Sequence, residues 1–193
     1  NTGSIIEQKE YDGIRRAKNI INVDDDFAIL GELSDPESSS NRPLYLQKIS
    51  SEGDEIWRKT WEDDSTKPRK PQDLIITSDN GYLLFCVSGD NPFCNATLIK
   101  TDSEGNEEWR KHYYDAVSRN GRIHETEDGG YFMSSSYAVT KLDANGDVEW
   151  DATSDCFISC FEKHFNNDSV TGINFDMRKI DGGAVITGYG SRD

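Results

Sequence analysis

The chain has 193 residues, 34% hydrophobic and 30% charged, with a formal net charge of -15 at pH 7. Such a length can bury a substantial core, while a strongly acidic balance argues against a nucleic-acid partner, because neutralising phosphates takes clustered Lys and Arg. No stretch approaches the roughly 18 apolar residues of a membrane-spanning helix.

In chain order, the first element expected is a short strand at 5–12, since Ile5-Ile6-Glu7-Gln8-Lys9-Glu10-Tyr11-Asp12 aligns with Glu108-Trp109-Arg110-Lys111-His112-Tyr113-Tyr114-Asp115 further along. An acidic turn running straight into an apolar segment then recurs four times, as Asp24-Asp25-Asp26-Phe27, Asp79-Asn80-Gly81-Tyr82, Asp128-Gly129-Gly130-Tyr131 and Asp181-Gly182-Gly183-Ala184. The spacings from Asp24 to Asp79, Asp128 and Asp181 are 55, 49 and 53 residues in turn, a period typical of propeller blades or solenoid units. A second motif trails the first: Lys48-Ile49-Ser50-Ser51-Glu52-Gly53 leading to Trp57, Lys100-Thr101-Asp102-Ser103-Glu104-Gly105 leading to Trp109, and Lys141-Leu142-Asp143-Ala144-Asn145-Gly146 leading to Trp150. Glycine four residues before each Trp supplies the positive φ of a tight hairpin, and the adjacent Asp, Asn and Ser bond their own backbone there.

Two hairpins per unit mean four strands. In the second unit these are expected near Leu74–Thr77, Tyr82–Val87, Thr97–Thr101 and Glu108–Tyr113, with the second strand apolar throughout because both its faces are covered. The single domain 1–193 thus divides into units at about 14–65, 66–117, 118–155 and 172–193, the last completed by strand 5–12, with an insertion at 152–171. Within that insertion Phe157, Phe161 and Phe165 are spaced by four, as on one face of a helix. Trp57, Trp109 and Trp150 are read as packing residues between adjacent sheets, since repetition at one place is what packing requires.

This doubled pattern resembles the tandem repeats of secreted bacterial and archaeal β-propellers, whose units run Asp-Gly-Gly-aromatic, apolar strand, Lys-x-Asp-x-x-Gly-x-x-x-Trp. The likeness covers most of the chain and implies an all-β propeller of about four antiparallel four-stranded blades, the last incomplete. That family is functionally mixed, so it supplies no catalytic residues. Two departures stand out: the first unit carries Asp25-Asp26 in place of the Gly pair, and after Gly188-Tyr189-Gly190 the fourth has neither a third strand nor a Trp. The missing strand is expected from the segment between Cys156 and Thr171, from further sequence or from another chain.

The four cysteines fall as two close pairs, Cys86 with Cys94 and Cys156 with Cys160. Local disulfides are expected, the first across the hairpin between the second and third strands of its unit, and neither spacing suits a zinc knuckle. Asn95-Ala96-Thr97 and Asn167-Asp168-Ser169 are sequons for glycosylation. With the cysteines they point to an extracellular, periplasmic or cell-surface location. Asp143-Ala144-Asn145-Gly146-Asp147 offers alternating oxygens to calcium, but the spaced Glu of a calcium loop does not follow, so it reads as a hairpin turn and no cofactor is expected. His112, His124 and His164 occupy different repeat positions without nucleophile or metal-ligand spacing, and no catalytic residue is assigned. The expected function is a non-enzymatic module presenting loops to a protein or glycan. The alternatives are a carbohydrate-active hydrolase with acids at the propeller mouth, and a subunit completed by strand addition from another chain.

Overall fold

The computed structural model describes residues 8–34, 42–62, 70–88, 94–117, 121–134, 138–153, 171–180 and 183–191. The described residues form strands, turns and irregular segments, with no helix among them. The first sheet is β1 (Ile14–Val23), β2 (Asp26–Leu33), β3 (Leu44–Ile49) and β4 (Glu55–Trp61); the second is β5 (Lys70–Ile76), β6 (Tyr82–Ser88), β7 (Cys94–Thr101) and β8 (Glu107–Val117). The third is β9 (Arg122–Glu125), β10 (Tyr131–Ser134), β11 (Ala138–Leu142) and β12 (Val148–Thr153), followed by a hairpin of β13 (Thr171–Ile180) and β14 (Gly183–Ser191). Each four-stranded sheet is an antiparallel meander in chain order.

Burial explains why β6 reads as a continuous apolar run. Leu83, Phe85 and Val87 join Ile123, Tyr131 and Met133 of the third sheet in one core layer. The alternate residues Tyr82, Leu84 and Cys86 join Ala28, Leu30 and Leu46 of the first sheet in another. A strand between two stacked sheets has no face for polar side chains. The first strands follow one another, β1 beside β5, β5 beside β9 and β9 beside β13.

The turns follow their glycines. In the hairpins before β4, β8 and β12, Gly53, Gly105 and Gly146 have φ of 78°, 77° and 78°, where a Cβ would be strained. The β5–β6 and β9–β10 turns put positive φ on Asn80 (66°) and Gly129 (78°). The first unit differs. Val23 pairs directly with Asp26, which leaves a tighter two-residue turn with the positive φ on Asp24, at 56°. This is why that unit carries no Gly pair.

Residues 8–12 are not a strand, contrary to the expectation for 5–12, of which 5–7 lie outside the described residues. The segment nevertheless makes the contacts of a fourth strand, as the next subsection shows. The proposed helical face at Phe157, Phe161 and Phe165 also lies outside the described residues.

Candidate functional site

The two motifs of each unit are joined by a lysine. Lys100, in β7, is 3% exposed, and its Nζ donates to Asp79 Oδ2 at 2.7 Å, Glu108 Oε2 at 2.9 Å and the Thr101 carbonyl at 2.9 Å. Lys141 repeats the arrangement with Asp128 at 3.0 Å, Glu149 at 3.3 Å and the Leu142 carbonyl at 3.0 Å. In the first sheet, Lys48 reaches Asp26 at 3.1 Å. In the second and third units the acid that opens the first motif is therefore the partner of the lysine that opens the second, and in the first unit the third acid of the motif takes that part. The glycine two residues after Asp79 or Asp128 makes room for this pair: a Cβ on Gly81 would stand 2.6 Å from Lys100 Nζ, and one on Gly130 would stand 2.4 Å from Lys141 Nζ. Burial opposes ionisation of Asp79, but hydrogen bonds from Lys100, Thr77 and Gly81 outweigh it and hold its carboxyl down at about 2. Asp128 is held at about 2 by Thr126, Lys141 and the Gly130 amide.

A second repeated arrangement forms the seam between sheets. Lys59 Nζ donates to Asn106 Oδ1 at 2.9 Å and Trp61 Nε1 to Glu107 Oε2 at 2.7 Å, so the end of β4 is fastened to the β7–β8 turn. Lys111 bonds Asp147, and Tyr113 Oη donates to the Gly146 carbonyl at 2.7 Å, which fastens β8 to the β11–β12 turn. Ahead of β1, Lys9 donates to Asp54 at 2.8 Å and Tyr11 Oη to the Gly53 carbonyl at 2.7 Å. Lys9 and Tyr11 thus correspond to Lys111 and Tyr113. The sequence alignment, which set Lys9 against His112, is one residue out of register.

The two seams between four-stranded sheets are each closed by an indole. Trp57 meets Tyr82 of the next sheet edge-on, with ring centroids 5.9 Å apart at 73°, and Trp109 meets Tyr131 at 6.2 Å and 60°. The glycine of the next turn lies under each ring, at Gly105 and Gly146. Trp150 shares their backbone position, opposite Lys141 as Trp57 is opposite Lys48 and Trp109 opposite Lys100. Its side chain behaves differently: it is 48% exposed and packs on Phe132 of its own sheet at 5.8 Å. Trp57 and Trp109 thus meet a ring of the next sheet, and Trp150 a ring of its own. In the next unit the repeat places Ala184 where Tyr82 and Tyr131 stand, so the partner ring is missing from the sequence.

The first strands are joined by a half-buried acid. Asp73, displaced by an irregularity in β5 after Pro71, accepts from Asn19 Nδ2 on β1, from its neighbour's Leu74 amide and from the Ile123 amide on β9, each at 3.1 Å. Burial raises its carboxyl pKa, opposed by the Ile123 amide and by nearby Arg122 and His124. Glu32, in the first sheet, is buried more deeply, 1% exposed and paired with Arg15 at 3.3 Å.

The ladder register does not set Cys86 and Cys94 on facing rungs. Cys86 faces Thr97 across the β6–β7 ladder, and Cys94 lies three residues from Thr97 on the same strand. Three residues of strand span about 10 Å, whereas a disulfide needs Cα atoms within about 7 Å. Cys86 is a buried core residue between the first two sheets. Cys156, Cys160, Asn167 and His164 lie outside the described residues. Asn95 is half-buried opposite Ser88, and Thr97 of its sequon is buried with Oγ1 3.0 Å from His112 Nδ1. His124 is half-buried on β9, its Nε2 without a hydrogen-bond partner. At the calcium candidate, Asp143 Oδ1 accepts from the Asn145 and Asp147 amides at 2.9 and 2.8 Å, while Asp147 is taken by Lys111. These are the bonds of a hairpin turn. Among the described residues no group of three or more His, Cys, Asp or Glu is placed to hold a metal ion.

Sequence reasoning missed the Asp–Lys clip, although its signal was present: the acid and the lysine recur together in every complete unit. It also missed Asp73, which no repeat announces. Compared with known proteins, the chain matches no family model and no curated sequence.

Proposed function

We propose that the chain is all or part of a β-propeller that serves as a non-enzymatic binding or scaffold module, presenting its inter-strand loops to a protein or glycan. The observation that carries this reading is the seam. The same lysine, aromatic and indole contacts fasten consecutive four-stranded sheets, and the first strands lie side by side, the arrangement in which blades stack around an axis. The described acids support a scaffold over a hydrolase. Asp79, Asp128, Asp102 and Asp143 hold turns, and Asp73 and Glu32 are each already bonded, so these six acids are engaged in holding the fold. Placement outside the cytoplasm rests on the likeness to secreted repeats and on Cys156 and Cys160, since Cys86 and Cys94 do not face each other.

The test is a glycan array and a set of chromogenic glycosides, run on the same purified protein. Selective glycan retention without turnover supports the module; turnover that disappears in Asp73→Asn would replace it with the hydrolase. A second reading, completion by strand addition, is favoured by β14, which has a single hydrogen-bonded neighbour among the described residues, β13. An edge of that kind recruits another strand, and light scattering that shows a concentration-dependent dimer would support it.

A further inference from the structure

Charge is divided between the two ends of the sheets. Both turn motifs of a unit lie at one end, because Phe27 stands opposite Ile49 and Tyr82 opposite Thr101, which sets the two hairpins side by side. The acids of the turns gather there and the lysines beside them are paired, as at Lys48, Lys100, Lys111 and Lys141. Toward the other end the cations are left over: Arg16 and Lys18 on β1, Arg42 ahead of β3, Lys70 on β5 and Arg122 on β9 have no ion-pair partner among the described residues. Arg16, Lys18 and Arg122 are exposed. The Asp73 tie brings their strands to a common level. Asn19 of β1 and the Ile123 amide of β9 both bond Asp73 of β5, so Lys18 and Arg122 each stand one residue before that level, and Arg16 and Lys70 three residues before it. Three residues of strand span about 10 Å, comparable with the roughly 8 Å over which salt screens a charge, so these cations act together. The turn acids are farther off: Asp24 follows Lys18 by six residues, about 20 Å of strand. Two described acids share the cationic end and both are engaged, Asp73 by its three donors and Glu32, opposite Arg16 in the ladder, by Arg15.

We propose that this end of β1, β5 and β9 binds an acidic glycan through the carboxylate or sulfate groups repeated along it. The class of polymer rests on the glycan branch of the module reading, and its charge rests on the unpaired cations. A protein partner calls for an aromatic or aliphatic anchor near the centre of the patch. The exposed large apolar side chains, Ile20, Ile56, Ile76, Tyr114, Val148 and Trp150, all lie outside residues 15–19, 70–73 and 122. Tight binding of a nucleic acid takes about 6 to 10 phosphate contacts, more than these cations supply on a chain of net charge -15. An oligosaccharide with an anion on each sugar matches single cations spread over neighbouring strands, and the separation of charge steers it to this end.

The experiment follows the full chain by backbone amide NMR during titration with four probes: hexagalacturonate, its neutral methyl ester, a heparin hexasaccharide and hexaglutamate. Expected are saturable shifts centred on residues 16–18, 70 and 122 with the two acidic sugars, the tighter of which names carboxylate or sulfate as the preferred group. The ester should bind about tenfold more weakly. Lys18→Gln and Arg122→Gln should each weaken the acidic sugar about threefold with their amide spectra still dispersed. Glu104→Gln, a charge change of the same size at an exposed site of the turn end, should leave it unchanged. Equal binding of the ester overturns the charge site while the glycan module stands. A gain with Glu104→Gln as large as the loss with Lys18→Gln makes overall charge the cause and overturns the site. Hexaglutamate bound as tightly as the sugars overturns the glycan and leaves a site for acidic peptides. Shifts centred on the turns, or no saturable shift with any probe, overturn the proposal.

Discussion

Asp79→Ala removes one end of the clip that joins the two turn motifs of the second sheet. Three bonds go with it: from Lys100 Nζ at 2.7 Å, from Thr77 Oγ1 at 2.5 Å and from the Gly81 amide at 3.0 Å. A hydrogen bond to a charged group contributes about 1.5 to 3 kcal/mol when shielded, but the Asp79 side chain is 55% exposed, and screening brings the ion-pair share down to about 1 kcal/mol. The two turn bonds add about 1 kcal/mol together, so the variant should lose about 2 kcal/mol. Lys100→Met is the informative partner. Its stem continues to pack, Asp79 and Glu108 are exposed enough to be rehydrated, and removing a buried charge together with its desolvation cost is often close to neutral. A loss below about 1 kcal/mol is expected, with the two substitutions coupled by about 1 kcal/mol in the double variant.

Urea unfolding of the four proteins, followed by circular dichroism, measures the cycle, and pH supplies an independent sign. The folded carboxyl of Asp79 is depressed from the ordinary 3.8 to about 2. Its contribution is complete above the unfolded value and disappears as pH falls through the folded one. The gap between wild type and Asp79→Ala should therefore narrow between about pH 4 and pH 2. Additivity within about 0.4 kcal/mol, or a gap that widens on acidification, would refute the clip.

The glycines after the acids separate two effects: Gly130→Ala, whose Cβ would meet the Leu142 carbonyl at 2.3 Å, should cost more than Gly129→Ala, which meets nothing within 4 Å and pays only for its φ of 78°. About 3 kcal/mol against about 1 is expected by chemical denaturation; equal losses would mean that the lysine head does not fill that space. Trp57→Ala and Trp109→Ala should each cost about 3 kcal/mol through loss of a seam ring, and Trp150→Ala less than half as much; thermal unfolding of the three variants ranks them, and a Trp150 loss as large as the others would show it seated between sheets. Non-reducing peptide mapping should recover Cys86 and Cys94 in separate peptides, and a bridged pair would mean that the β6–β7 register is wrong.

The repeats in the sequence determined the strand pattern, because a hairpin glycine such as Gly105 and an apolar run such as Tyr82–Val87 act through local conformation and side-chain period, which neighbours in the chain already specify. Both turn motifs were legible for that reason, and so was the place of Trp57 and Trp109. Pairing across distance was not. That Asp79 belongs to Lys100, that Asp73 ties β1 and β9 to β5, and that Lys9 matches Lys111 and not His112 depend on which atoms meet when sheets stack. The cysteines show the difference most directly. Close spacing made Cys86 and Cys94 look like partners, but ladder register fixes the rung of each residue, and Cys86 stands opposite Thr97. Trp150 carries the same motif as its two counterparts, yet its ring lies on Phe132 of its own sheet, a difference that the motif itself does not encode.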